Sequence, residues 1–281
     1  MRVAPPRVNA QPSPAPRPSA GTPESDVYRQ TAFLLGADMD AVLDLLAIEG
    51  AVAEASAAAK YRKPAAAVAL AFWSQSWLAR LDALHAVQWG RYPAAAVLVR
   101  AAADAQAAMQ AVLAVGDDAV ADWAARSIAL RPDVHALELR LEPARSGETL
   151  ARDDELGDVY RQATVFAMPS YCAALLFEGG DTNTERLAVS FGERAFHLGL
   201  AELNLGWLLR LALRQVDVVS AAGRFAPLDP DRRAAAERAA RAALARDDRC
   251  RMERVELEGV DRWLIRNWRR QPGAAAKRFL L

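Results

Sequence analysis

This chain of 281 residues is poor in the residues that build most recognisable sites. It has two cysteines, Cys172 and Cys250, too few for a disulfide framework or a cysteine-built zinc centre. Its three histidines lie far apart in sequence, so no His-rich metal centre is expected, and no cofactor either. There is no GxGxxG before a helix, no GxxxxGKS or GxxxxGKT, no HExxH and no GxSxG, which excludes the familiar nucleotide and hydrolase chemistries. Net charge is absent too: 35 basic side chains face 35 acidic ones, against a protein that grips nucleic acid with its whole surface. No uncharged apolar run approaches the roughly 18 residues of a membrane span. The nearest, Leu198 to Val219, carries Glu202, Arg210, Arg214 and Asp217. No apolar h-region follows Arg2 and Arg7, so no secretory signal is read, and free thiols fit a reducing, cytoplasmic location.

What is present is helix-forming. Hydrophobic residues make up 53% of the chain, enough for a sizeable core. The first 25 residues stand apart: they hold seven of the fifteen prolines and no aromatic residue. Proline removes donors and so few apolar groups cannot offset the entropy of ordering, so residues 1–25 read as a disordered arm, with a PxxP-like spacing suited to an aromatic groove. A first helix is expected from about Asp26 to Lys60, broken near Gly36 and stopped by Pro64. Ala65 to Trp89 reads as a second, with a wide apolar face of Val68, Phe72, Trp73, Trp77, Leu81 and Leu84. Gly90 and Pro93 separate it from a third, Pro93 to Val115, and Asp117 to Leu130 makes a fourth. After a weak stretch a fifth spans Asp153 to Ala167, with acids in its first turn.

Apolar runs either side of Glu178–Glu185 then predict a small β-hairpin over about 171–192. Arg194 to Ala222 carries too much leucine for a one-sided helix and should lie centrally. Beyond Gly223 the composition shifts. From Arg224 to the end fifteen Arg and Lys face nine Asp and Glu, and Val260 to Arg270 reads as a short amphipathic basic helix. The fold class is therefore all-α, a bundle of about seven to eight helices with one β-hairpin. Its organisation is a Pro-rich arm (1–25), a helical bundle domain (26–223) and a basic helical extension (224–281).

Two short patterns resemble a known class. Arg80-Leu-Asp-Ala-Leu-His85 fits the Arg-x4–6-His spacing of HEPN-type ribonucleases, with Leu81 where a polar residue is usual. Leu84-His-Ala-Val-Gln-Trp-Gly90 and the following helix to Asp104 look like the helix–Gly–helix pattern of bacterial HEPN-like and abortive-infection-type helical proteins. Tyr160-Arg-Gln-Ala-Thr-Val-Phe-Ala-Met-Pro-Ser170 is similar to their later segment, with Met168 in place of its histidine. The resemblance covers about residues 65–215. It implies that Arg100 and Asp104 pair at i,i+4 toward the bundle interior near Tyr160. It further implies metal-independent RNA cleavage in which His85 takes a ribose proton and Arg80 steadies the phosphate.

The basic tail offers Arg262, Arg266, Arg269 and Arg270 at helical spacing beside Trp263 and Trp268, the pieces of an RNA-binding helix or of a helix docking on a partner. The expectation is a helical protein acting through association, with a homodimer or a protein partner. The alternative is an RNA-binding or RNA-cleaving protein in a defence or toxin–antitoxin setting.

Overall fold

A computed structural model describes residues 10–56, 64–128, 144–170, 173–174 and 191–281. The expected hairpin over 171–192 lies almost wholly outside the described residues. Among them are eight helices, α1 (Pro23–Ala55), α2 (Pro64–Gln88), α3 (Tyr92–Ala114), α4 (Asp117–Ile128), α5 (Ser146–Arg152), α6 (Asp154–Ala167), α7 (Leu198–Ala222) and α8 (Pro230–Leu244). Three strands complete the chain: β1 (Arg251–Leu257), β2 (Val260–Trp268) and β3 (Lys277–Leu280). The protein is mostly α with a small antiparallel sheet. Contacts divide it into two units. One comprises Met1–Ala59, Leu84–Arg91 and Arg194–Leu281, the other Lys60–Ala83 and Tyr92–Glu193. The expected boundary between residues 223 and 224 belongs to neither, because the C-terminal segment folds with α1 and α7.

In the first unit α7 is the spine. Every residue from Leu198 to Leu209 is buried, as an all-round apolar helix must be. It packs against α1, α8 and the sheet. α1 presents Leu35, Met39, Val42, Leu45, Leu46 and Ile48 to the core at three- and four-residue spacing, and its backbone kinks at Leu35 (φ −127°, ψ 19°), next to the glycine expected to break it. α8 begins where Asp229-Pro-Asp231 signals a start: the Asp229 carboxylate accepts from the backbone N–H groups of Asp231 at 3.0 Å and Arg232 at 3.1 Å.

The basic helix expected at Val260–Arg270 is strand β2. β1 and β2 form a hairpin closed at Leu257 and Val260, and β3 adds to the far side of β2. Glu258 and Gly259 hold φ of 54° and 75° in the two-residue turn, the left-handed pair a tight hairpin requires. One face of this sheet, with Met252, Ile265 and Trp268, is buried, and the backbone N–H groups of Leu198 and Gly199 donate to the Arg270 and Arg269 carbonyls at 3.0 and 2.9 Å.

A buried charge cluster joins these pieces. Asp38 on α1 and Glu202 on α7 are both almost inaccessible, and two arginines from the α8–β1 connection reach them. Arg249 pairs with Asp38 and donates to the Glu202 main-chain carbonyl at 2.7 Å. Arg246 contacts both carboxylates at 3.2 Å, and the backbone N–H of Cys250 donates to Glu202 at 2.9 Å.

In the second unit α3 packs against α5 and α6, its alanines at 95, 96, 102, 103, 107 and 108 all buried. Asp153 caps α6 by accepting from the Leu156 N–H at 3.1 Å. The start of α2 meets α4: the Ala65 N–H donates to Asp117 at 3.0 Å, and Phe72 lies 6.3 Å from Trp123.

The charge cluster yields a stability prediction. Arg249→Met leaves Asp38 buried with only Arg246 to answer it, and is expected to cost about 3 kcal/mol. Arg246→Met, at a site one-third exposed, is expected to cost about 1 kcal/mol. Urea unfolding of the two variants measures the difference; equal losses would show that burial does not govern the cluster.

Candidate functional site

Arg80 and His85 occupy one helix but not one site. Five residues of α-helix turn their side chains about 140° apart around the axis. Arg80 is 0% exposed, and its Nε donates to the Ser76 carbonyl at 3.2 Å. A guanidinium in that position presents no face to a phosphate. His85 is half-buried, and its Nε2 hydrogen-bonds the Ser13 carbonyl at 2.8 Å. That contact departs from the expected free arm over 1–25: the main chain at Ser13, Ala15 and Pro16 is held by side chains at the end of α2, while residues 1–9 lie outside the described residues.

Arg100, Tyr160 and Thr164 do come together. The Arg100 guanidinium sits 5.0 Å from the Tyr160 ring centre, donates to its hydroxyl at 2.8 Å and to Thr164 Oγ1 at 3.1 Å. Thr164 in turn donates to the Tyr160 carbonyl at 2.7 Å. Asp104, expected to turn inward as the partner of Arg100, is exposed, and among the described residues no ion pair links the two. Tyr and Thr replace a carboxylate because α6, not the next turn of α3, faces Arg100. The group is positioned as a tie between α3 and α6. Met168, where the resemblance calls for histidine, is half-exposed beside Phe166 and Ser170 in an open depression at the end of α6.

The four tail arginines separate once their segment is a strand. Register places Arg251, Glu253, Val255, Leu257, Val260, Arg262, Leu264 and Arg266 on the outward face, joined by Arg278 and Leu280 of β3. Trp263, Ile265 and Phe279 point to the opposite side. Arg262 is exposed, and Arg266 pairs with Glu253. Arg269 and Arg270 are off this face: their carbonyls tether α7, and Arg269 meets Asp248 at 3.2 Å. A helix would have set arginines and tryptophans side by side; the strand sends them to opposite faces. The apolar part of the outward face is open, with Leu257 46%, Val260 52% and Leu280 47% exposed. Arg251, Arg278, Leu257, Val260 and Leu280 were not singled out by sequence. The alternating Arg-Met-Glu-Arg-Val-Glu-Leu run before Glu258-Gly259 is the signal that marks them.

Three titratable groups at the root of the sheet are displaced. His197 caps α7, its Nδ1 accepting from the Leu200 N–H at 3.2 Å, and its ring lies 4.5 Å from that of Trp268. Burial, reinforced by the charge of Arg270, holds its imidazole down to about 3. Burial also raises the carboxyl of Glu202, against the opposing hydrogen bond from Cys250 N–H and the neighbouring arginines. Burial likewise pushes the Cys250 thiol up, so it is no nucleophile.

Comparison of the chain with protein-family models, with curated proteins and with solved structures finds no match.

The His197 environment sets a pH response. Its folded value lies below the ordinary 6.5, so between those two values the unfolded chain binds a proton that the folded chain refuses. The contribution is complete above pH 6.5 and shrinks as pH falls toward 3, by up to about 1.4 kcal/mol per pH unit. His197→Asn keeps a capping side chain and is expected to flatten that part of the profile. Melting temperatures of both proteins between pH 7 and pH 4 measure it; parallel profiles would remove His197 as the cause.

Proposed function

We propose that the protein acts by association rather than catalysis, holding an acidic, apolar-faced segment of a partner protein on the outward face of its C-terminal sheet. The observation that carries this reading is the chemistry of that face: Leu257 and Val260 are exposed at the turn end and Leu280 beside Leu264, Arg262 lies between them, and Arg251, Arg266 and Arg278 gather toward the opposite end, with Glu253 as the sole acid in the set. An apolar end beside a cationic end suits an amphipathic acidic segment laid along the strands. A second copy of the same face would bring like charges together. Nucleic acid is disfavoured because Trp263 and Phe279 point away from these arginines, leaving bases no ring to stack on. A HEPN-like class, with its defence or toxin–antitoxin setting, enters this reading through the resemblance of Leu84–Asp104 and Tyr160–Ser170. RNA cleavage is the rival; the burial of Arg80 and the engagement of His85 by Ser13 weigh against it.

The full chain tests this with two probes, a Leu/Glu amphipathic peptide and a single-stranded RNA. The peptide is expected to bind with strong salt dependence and to lose at least about tenfold, or about 1.4 kcal/mol, in a Leu257→Asp/Val260→Asp variant. Tighter binding of the RNA than of the peptide, or RNA cleavage abolished by His85→Ala, would overturn the association reading.

A further inference from the structure

The proline-rich arm is not merely laid on the first unit; three side chains at the end of α2 read its main chain. His85 Nε2 bonds the Ser13 carbonyl at 2.8 Å, Gln88 Oε1 accepts from the Ala15 N–H at 2.7 Å, and the Trp89 indole N–H donates to the Pro16 carbonyl at 3.1 Å. Ser13 and Pro16 stand three residues apart, the period of a polyproline helix, so one side of such a segment offers both carbonyls. With prolines at 12, 14, 16 and 18, only Ser13, Ala15 and Arg17 keep a backbone N–H in this stretch, and the site takes the middle one.

The readers are themselves held. Gln88 Nε2 lies 3.4 Å from Met39 Sδ, which turns its carbonyl oxygen toward the arm. The Arg91 guanidinium sits 4.7 Å from the Trp89 ring centre, fixing the indole with its N–H edge free for a carbonyl. Ala15 is buried to 3%, so the position between Pro14 and Pro16 admits only a small side chain. Upstream, Gly50 of α1 leaves the room that the Ala10 carbonyl occupies: a Cβ there would lie 2.0 Å from that oxygen.

We infer that the end of α2, with α1 beside it, is a binding site for proline-rich segments with a Pro-Ala-Pro core, and that the chain's own residues 13–16 fill it in cis. The ligand is such a segment of a partner protein. Recognition of carbonyls and of one N–H, rather than of long side chains, makes the site selective for a conformation the ligand already prefers. Of residues 10–22 only Ala15 is fully buried, and the arm is tied to α1 through a Ser19–Thr22 turn, so it holds by local concentration more than by extensive contact. A partner segment therefore competes by outnumbering the arm. This site is independent of the sheet face.

The test uses the full chain and a labelled peptide of residues Gln11–Ala20. Ala15→Glu expels the arm from its slot and leaves the site open. The peptide is expected to bind this variant at least about tenfold more tightly than the unaltered chain, and to lose about tenfold when Trp89→Phe and Gln88→Ala are added. The same peptide with glutamate at its alanine-15 position should not bind. Absence of peptide binding to a variant whose circular dichroism matches the parent would overturn the inference, as would equal binding to all chains. Should Ala15→Glu fail to fold, amide exchange at Ala15 decides: Gly50→Ala, which improves helix propensity while displacing Ala10, is expected to speed it at least about tenfold, and an unchanged rate would overturn the proposal. A concentration-dependent dimer of the unaltered chain that the peptide dissolves would assign the site to arm exchange between copies and overturn the partner reading.

Discussion

Four charges, three of them almost inaccessible to water, set the geometry of the first unit. Asp38 and Glu202 are buried on two packed helices, and a buried carboxylate without a partner is costly enough to unfold a domain of ordinary stability. Arg246 and Arg249 answer both, and they arrive from a short connection whose next residue, Cys250, is pinned to Glu202 through its backbone N–H. Charge neutrality therefore dictates where the chain must be when β1 begins at Arg251. Once Met252 turns inward, alternation along the strand decides everything that follows: Arg251, Glu253, Val255 and Leu257 must turn outward. The exposed face of the sheet is thus a consequence of an ion cluster at its root.

That cluster was invisible in the sequence because its members are separated by 208 residues for Arg246 and Asp38 and by 44 for Arg246 and Glu202. The helices were legible for the opposite reason. Alanine and leucine recur at the helical period, and the punctuation at Gly90, Pro93, Asp153 and Asp229 is local chemistry that acts where it is written. Val260–Arg270 misled because its arginines at 262, 266 and 269 satisfy a four-residue spacing as readily as the strand that contains them. What breaks the tie is Glu258-Gly259, a two-residue turn whose demand for positive φ has no use inside a helix.

The same distinction governs the candidate sites. The approach of Arg100 to Tyr160 was expected only through the resemblance of the two short segments, since nothing in the periodicity of α3 or α6 names the other as its neighbour. The fate of Asp104 was not legible either, since i,i+4 spacing permits a pair without requiring one when a hydroxyl and an aromatic face lie within reach. Arg80 is the sharper case. A helix apolar on nearly all sides gives no periodic clue to which direction is solvent, so a cationic residue reads as surface although the structure closes around it.

The arm shows how composition can point to disorder while local chemistry provides order. Prolines at alternate positions leave few donors to satisfy, which lowers the polar cost of laying the segment on protein, and they restrict the unfolded chain, which lowers the entropy lost on docking. Three side chains then suffice to hold it. The residue that resembles a catalytic histidine is one of the three, and its Nε2 is engaged by a main-chain carbonyl. Whatever removes the arm changes the environment of His85, so the proline-rich segment and the histidine belong to one physical question rather than two.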